Sequence, residues 1–542
     1  MGLDNQISIP APNKSNLERG ASLRDAKSRI PRNVVFNFAG YAVNVLVTFL
    51  IAPVLVHRLG NTAYGVWGLI SEVLGYSFLL DFGIRIAVTR YVGHHLALDE
   101  PKQINTVLTT GLLFSAVSAV LVLMGGGVVA YLLPRLFAIP PRLVTDARLA
   151  VIVVSATFAT SFPGSLFTGC VVALSRYDLL SIRKTGPTIL RALALWFFLY
   201  HGYGLLAVAV ITGSAFVLGY LLDLYFSFRN LPGFSIRLHF FDRGTARSLL
   251  HFSFYAFVLS TSWRVLFMTD NVVVGFVLGP GAVAFYYVGM QIAAFFRESI
   301  GSIAMLFAPL ASQMNALDEK ESLRELFIKG SRVSLIYVLA GAVPLVVVGP
   351  KFIGFWMGES FIKQSGPILV LLTLEAAFYA LSFTGGQILY GMSRHRVNAW
   401  LSLTCATANF TLSAILVRKL GAVGVAWGTL IPAFIVEAII LPVYTASILR
   451  ISPGRFYRSV VLRPLIAAAP YGLWLWFWRR QGVVHGYGSL ALIIGTGLAL
   501  YALVAWKFSL DSEDRAFARK ALGRLKSIIL TMRPAWGATR GE

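Results

Sequence analysis

The sequence predicts an all-α polytopic membrane protein of about fourteen transmembrane helices, arranged as two six-helix bundles of parallel topology followed by two C-terminal helices. Three observations predict it. Of 542 residues, 57% are apolar and 13% charged, against roughly 25% charged in a soluble domain; the mean hydropathy is +0.72. The apolar residues gather in runs of about 20, long enough for a hydrocarbon core ~30 Å thick, whereas a spanning barrel would alternate apolar and polar residues. The third observation is an internal repeat.

The elements follow in order. Residues 1–32 are polar and mixed in charge and form the expected cytoplasmic N-terminal tail. The apolar run after them is too long for a signal h-region, so the first helix, 33–57, acts as its own insertion signal. Helices at 65–90, 105–133, 148–175, 185–201 and 205–228 complete the first bundle, 33–228. The fifth is short and carries Arg191. A polar linker, 229–251, leads to the second bundle, 252–448, with helices at 252–278, 282–312, 331–357, 366–391, 398–417 and 422–448. Helices 462–479 and 488–506 make up the segment 449–506. The basic tail 507–542 carries an amphipathic stretch from Arg515 to Leu530, suited either to anionic headgroups or to solvent.

Charge orients the helices. With the N-terminus inside, the inner loops and tails hold 33 Lys and Arg and the outer loops 10. That asymmetry places both termini in the cytoplasm. The net charge of +23 follows these loops and calls for no nucleic acid. No loop is long enough to fold as a domain. Cys170 and Cys405 lie in apolar runs and read as small core residues, with neither a disulfide nor a metal site expected.

The repeat runs at an offset of 219. Leu59, Gly60, Ala63 and Trp67 map onto Leu278, Gly279, Ala282 and Tyr286, and the same offset carries Gly111, Gly202 and Ala207 onto Gly330, Gly421 and Ala426. Ser175-Arg176 matches Ser393-Arg394 at 218. Six helices per copy is an even number, so the copies are parallel, related by an axis along the membrane normal; such architectures commonly bind substrate near the midplane.

Ionisable residues at membrane depth are costly and tend to line pathways. In the second helix Ser77, Asp81, Arg85 and Thr89, spaced by four, predict one polar stripe. It reads as a cavity wall or as a buried ion pair locking two helices. Glu72 lies further out and Arg90 marks the inner end. Asn37 and Asn44 stand on the first helix, Asp223 on the sixth, Arg264, Asp270 and Asn271 on the seventh. The eighth places Tyr287, Gln291 and Glu298 on one face with Arg297 beside them; Glu375 and Glu437 stand alone on the tenth and twelfth. Snorkelling to the inner interface also accounts for Asp223, Arg297 and Glu298. Arginines in both halves suit a large anionic headgroup. The acids suit a proton or Na⁺. These residues alone point to a transporter of an anionic or amphiphilic substrate. No G-x-x-x-x-G-K-[ST] phosphate loop or H-E-x-x-H motif occurs, so no cofactor, metal or enzymatic activity is expected.

The stretch AYGVWGLISEVLGYSFLLDFGIRIAVTRYVG, 63–93, resembles the second-helix signature of Wzx-type O-unit flippases of the multidrug/oligosaccharidyl-lipid/polysaccharide superfamily. Its carriers are the Y-G-x-W-x-L start, the Leu80-Asp81-x-Gly83 core and the basic exit Thr89-Arg90-Tyr91. A second stretch, TDNVVVGFVLGPGAVAFYYVG, 269–289, is similar to that family's seventh-to-eighth hairpin. The resemblance covers about residues 30–450 and implies alternating access and a polyprenyl-diphosphate-linked oligosaccharide as substrate. It also implies a place in the bacterial inner membrane among lipids, with a polysaccharide polymerase and chain-length regulator as partners. It implies family-like contacts at Asp81, Arg85, Arg90 and Asp270. Arg85, Arg90, Arg264, Arg297, Asn37, Asn44, Tyr287 and Gln291 are the expected substrate-facing residues. Asp81, Glu72, Asp270, Glu298 and Glu375 are the expected ion-coupling residues. Three alternatives stand beside this one. An ion-coupled multidrug exporter of the same superfamily would want an acidic cavity; a peptidoglycan-precursor flippase would be essential; a scaffold or intramembrane enzyme would not need the buried arginines.

Overall fold

Helix follows helix because, in lipid, the backbone must satisfy its own hydrogen bonds. The computed structural model describes residues 16–515 apart from 82, 175, 232, 305, 306, 393 and 513; the side chains of 16–39, 41, 81 and 251–268, among others, lie outside that description. No strand occurs among the described residues.

A helical stretch Asn16–Gly75 is divided at Gly60 (φ 76°, ψ 160°) into α1, 16–59, and α2, from 61. α2 is α-helical to Gly75, 3-10 over Tyr76–Asp81 and α-helical again over Ile84–Ala97. Next come α3 (Pro101–Leu136), α4 (Pro141–Ala173), α5 (Tyr177–Tyr200), α6 (Leu205–Asn230) and α7 (Arg243–Leu278). α8 consists of Pro280–Ala304 and Phe307–Ala316, and α9 of Lys320–Val347 and Gly349–Met357. α10 (Glu359–Gly391) and α11 (His395–Leu420) follow. α12, 422–448, contains a π-helical turn at Phe434–Ile440; α13, 453–480, contains another at Tyr457–Leu462; α14 is Tyr487–Phe508. Among the described residues each expected stretch is mostly helical, with breaks at Gly83 and Val348. Ten helices are long and apolar enough to cross a membrane among the described residues; α5 is not one of them.

Several helices outrun their apolar stretches. α5 begins at Tyr177 rather than 185, α7 at Arg243 rather than 252, and α9 at Lys320 rather than 331. Hydropathy marks where lipid begins, whereas capping marks where the helix begins. Asp242 shows this: its carboxylate accepts from the Thr245 N–H at 2.6 Å, and that bond holds it below the ordinary carboxylate range. The basic stretch expected over Arg515–Leu530 falls, past its first residue, outside the described residues.

The chain forms two compact units, Met1–Ala284 and Phe285–Glu542. In the first, α4 packs between α3 and α6, α5 lies against α1 and α6, and α7 packs on α2 and α3. In the second, α10 packs between α9 and α12, α11 lies against α12, and α13 and α14 cover α9. The packing repeats in detail. Gly60 and Gly279 share one positive-φ conformation, and Gly202 and Gly421 also have positive φ. Gly111 of α3 sits against Val88 of α2 and Leu166 of α4; Gly330 of α9 sits against Phe307 of α8 and Thr384 of α10. Those neighbours are 219 and 218 residues apart, the offsets of the sequence repeat. Arg176 and Arg394 directly precede α5 and α11.

Candidate functional site

The expected polar stripe of α2 does not form as one α-helical row. The 3-10 turn and Gly83, at φ 71°, separate Ser77 and Asp81 from Arg85 and Thr89. The i, i+4 spacing therefore does not carry across the break. Beyond it Arg85 and Arg90 are exposed. The Thr89 hydroxyl donates to the Arg85 carbonyl at 2.9 Å and fills the space beside Gly169 of α4.

Before the break, α2 meets α7 through a polar seam. Asn271 Nδ2 donates to Glu72 Oε1 at 3.1 Å, and the Tyr76 hydroxyl lies 3.3 Å from Thr269 Oγ1. Asp270 is buried beside them and acts electrostatically on Glu72. Two of the expected ion-coupling residues, Glu72 and Asp270, are thus brought together, although 198 residues separate them in sequence.

A further polar feature of this unit is one the sequence reading missed. A cavity of about 410 Å³ lies among α1, α5 and α6, lined by Asn44, Ser181, Arg183, Lys184, Thr188 and Arg191 with Gly40, Pro187 and Gly219. Among the described residues that line it, three are basic and none is acidic. Arg183 is fixed in place: its Nε stands 2.9 Å from Asp223 Oδ2, its guanidinium lies 4.9 Å from the Tyr220 ring centre, and Thr168 Oγ1 donates to Asp223 at 2.6 Å. Asp223 is therefore an ion-pair partner, not a snorkelling residue. Pro187 has no N–H for the carbonyl of Arg183 four residues earlier, which loosens α5 at the cavity. Of the residues expected to face substrate, Asn44 lines this cavity. A signal was available: once α5 starts at Tyr177, Lys184, Thr188 and Arg191 fall at i, i+4 and i+7, one helical face. The short reading of the helix had left Arg183 and Lys184 in a loop.

The second unit holds a different cluster. Arg297 of α8 pairs with Glu375 of α10, joining a residue expected at substrate to one expected at the coupling ion. Glu437, in the π turn of α12, hydrogen-bonds with Ser382 of α10. Tyr287 and Gln291 are half-buried and Glu298 is exposed on α8. The side chains of Asn37, Asp81 and Arg264 lie outside the described residues.

A cavity with three bases and no acid suits an anionic group, since arginine binds phosphate or carboxylate through paired N–H donors. Comparison with known proteins agrees with a transport fold. The chain is 22% identical over 507 residues to the membrane protein EpsK of Bacillus subtilis (strain 168), covering 92% of this chain and 99% of that protein. It is 23% identical over 407 residues to a Shigella flexneri protein named as an O-antigen transporter, covering 73% of this chain and 93% of the relative. Its fold is shared with an inward-facing multidrug resistance MATE family transporter of the MOP superfamily (TM-score 0.66, 15% identity, 76% of this chain and 98% of that one). The lipid II flippase MurJ in an inward closed conformation also shares it (TM-score 0.65, 14% identity, 87% and 97%). The family model described as polysaccharide biosynthesis protein matches residues 30–315, more than half of the chain, so this multi-pass membrane protein belongs to the polysaccharide biosynthesis protein family.

Proposed function

We propose that the protein is a flippase that moves undecaprenyl-diphosphate-linked oligosaccharide units across the bacterial inner membrane for surface polysaccharide synthesis. The observation that carries this reading is the α1–α5–α6 cavity, with Arg183, Lys184 and Arg191 and no lining acid, in a member of a polysaccharide biosynthesis family. A diphosphate brings negative charge and acceptor oxygens to such a cavity, while the polyprenyl chain stays among lipid tails. Arg85 and Arg90, exposed on α2, add positive charge along the headgroup's route. The carboxylates of the α2–α7 seam and of the second unit supply groups for coupling to an ion gradient. The protein works as a transporter rather than an enzyme, with both termini cytoplasmic, and hands its substrate to a polymerase governed by a chain-length regulator. The basic cavity disfavours a multidrug exporter of cationic compounds.

Gene deletion tests this. Lipid-linked repeat units should accumulate in the inner leaflet and surface polysaccharide should disappear, with both reversed by the gene in trans. Normal polysaccharide in a deletion strain that has no paralogue would sink the proposal. Raised drug sensitivity with intact polysaccharide would favour the exporter.

A further inference from the structure

The second unit buries two carboxylates on α10 and α12, and among the described residues Arg297 pairs with one of them, Glu375. Glu437 makes no ion pair there. Among the described residues, the titratable groups that interact with it are Glu375 and Tyr379 of α10 and Cys405 of α11, while Arg297 of α8 acts on Glu375 and Tyr379. From α13, Tyr457 is committed to the Ala438 carbonyl at 2.6 Å.

Ser382 is the hydrogen-bond partner of the Glu437 carboxyl. Its hydroxyl lies 2.9 Å from the Tyr379 carbonyl and also contacts the Glu437 carboxyl. A hydroxyl has one proton to donate and lone pairs to accept with. If Glu437 is ionised, Ser382 donates to the carboxylate, and the Tyr379 carbonyl keeps its helical partner, the Phe383 N–H. If Glu437 is protonated, its O–H donates to Ser382 Oγ, and Ser382 donates to the Tyr379 carbonyl. Both contacts are then made. Charge favours the protonated form: Arg297 and Glu375 cancel, and an ionised Glu437 would leave a net negative charge in the membrane interior, which is strongly disfavoured. Glu437 also sits in the π turn Phe434–Ile440, an irregularity that often marks functional positions in helices.

We propose that Glu437 is a proton-binding site of the second unit, carrying its proton in this conformation and releasing it when the carboxyl meets water. On release the carboxyl O–H bond breaks and the proton passes to water. The carboxylate left behind takes the Ser382 hydrogen bond, and the Tyr379 carbonyl keeps only its helical N–H donor. The site stands on geometry alone; its use as the coupling site rests on the proposed transport.

Infrared spectroscopy of the full-length protein in lipid tests it. At neutral pH the wild type should show the carbonyl stretch of a neutral carboxyl, shifted by exchange into D₂O and absent from E437Q. The glutamine amide can donate to Ser382 as the acid does, so E437Q should fold. In S382A the band should persist but move, because the O–H has lost its acceptor. Identical carboxyl spectra in wild type and E437Q, or an unmoved band in S382A, would overturn the proposal. So would a band that vanishes when Na⁺ is added at fixed pH, which would make the ligand a metal cation. In proteoliposomes, translocation by E437Q should lose the acceleration that a transmembrane pH step gives the wild type. If the infrared result holds while neither protein moves lipid-linked sugar, the flippase reading fails and the proton site stands.

Discussion

At the scale of single residues, α5 separates a binding charge from a structural one. Arg183 is tied to Asp223, whose side chain is fully buried, and Thr168 and Tyr220 complete the shell. Removing one partner of such a pair typically costs about 3–5 kcal/mol, because it leaves the other charge buried alone. R183A should therefore lower Tm sharply, and R183A/D223N should recover part of the loss. Arg191 lines the cavity without belonging to that shell. R191A should lower Tm less than R183A and weaken headgroup binding by roughly 10- to 100-fold, the range expected for a lost charged hydrogen bond of about 1.5–3 kcal/mol. Thermal unfolding measures the first effect; surface polysaccharide in a deletion strain complemented at low expression measures the second. Full polysaccharide from R191A under those conditions would remove this cavity from the path of the substrate. Of these residues only Asn44 was chosen from the sequence as substrate-facing. Hydropathy discounts a helix in proportion to its charges, so the feature that equips α5 for an anion also shortened it on paper.

At the scale of elements, apolar runs were enough to locate each helix, because a bilayer demands a minimum length and tolerates few charges. They did not locate breaks and ends. The break in α2 depends on Gly83 adopting φ 71°, and a periodic row of Ser77, Asp81, Arg85 and Thr89 gives no sign of it. Hairpin glycines were more legible because the repeat shows them twice: Gly60 and Gly279 share a conformation that side chains rarely adopt. Between these hairpins lies the tightest backbone approach in the first unit. A Cβ on Gly65 would stand 1.8 Å from the Pro280 carbonyl oxygen, which is backbone and cannot rotate away. G65A should therefore force α2 from the α7–α8 turn and sharply reduce folded yield. G83A loses left-handed backbone freedom, worth roughly 1–2 kcal/mol. Folded yield by detergent size-exclusion and Tm rank the two variants; G65A equal to or better than G83A would contradict this packing.

At the scale of the whole molecule, each unit is built on the same helix pairing, and the repeat leaves α13 and α14 over. They are fastened to the second unit by polar contacts at several depths. Trp474 donates to the Ile493 carbonyl at 3.2 Å, which joins α13 to α14, and Tyr501 of α14 donates to the Ile336 carbonyl of α9 at 2.9 Å. Past α14 the chain folds back on Arg332 of α9, which is 3% exposed and donates to Asp511 at 2.6 Å, Asp514 at 3.2 Å and the Ser509 carbonyl at 3.3 Å. Arg463 of α13 reaches Asp511 from the other side at 2.9 Å. Bonding to Arg332 holds the Asp511 carboxyl below the ordinary carboxylate range. A carboxylate depressed in the folded state adds stability that is present above its unfolded pKa and is lost as pH falls through the folded one. R332A should therefore lower Tm at pH 7, where Asp511 is ionised. The gap between R332A and the wild type should narrow once the pH drops below about 4, the usual value for an aspartate. High salt should narrow it less, because Arg332 is shielded from solvent although Asp511 is not. A gap unchanged between pH 7 and pH 3 would mean that Arg332 supports α9 through packing, and that the acidic segment after α14 contributes nothing to holding the last two helices in place.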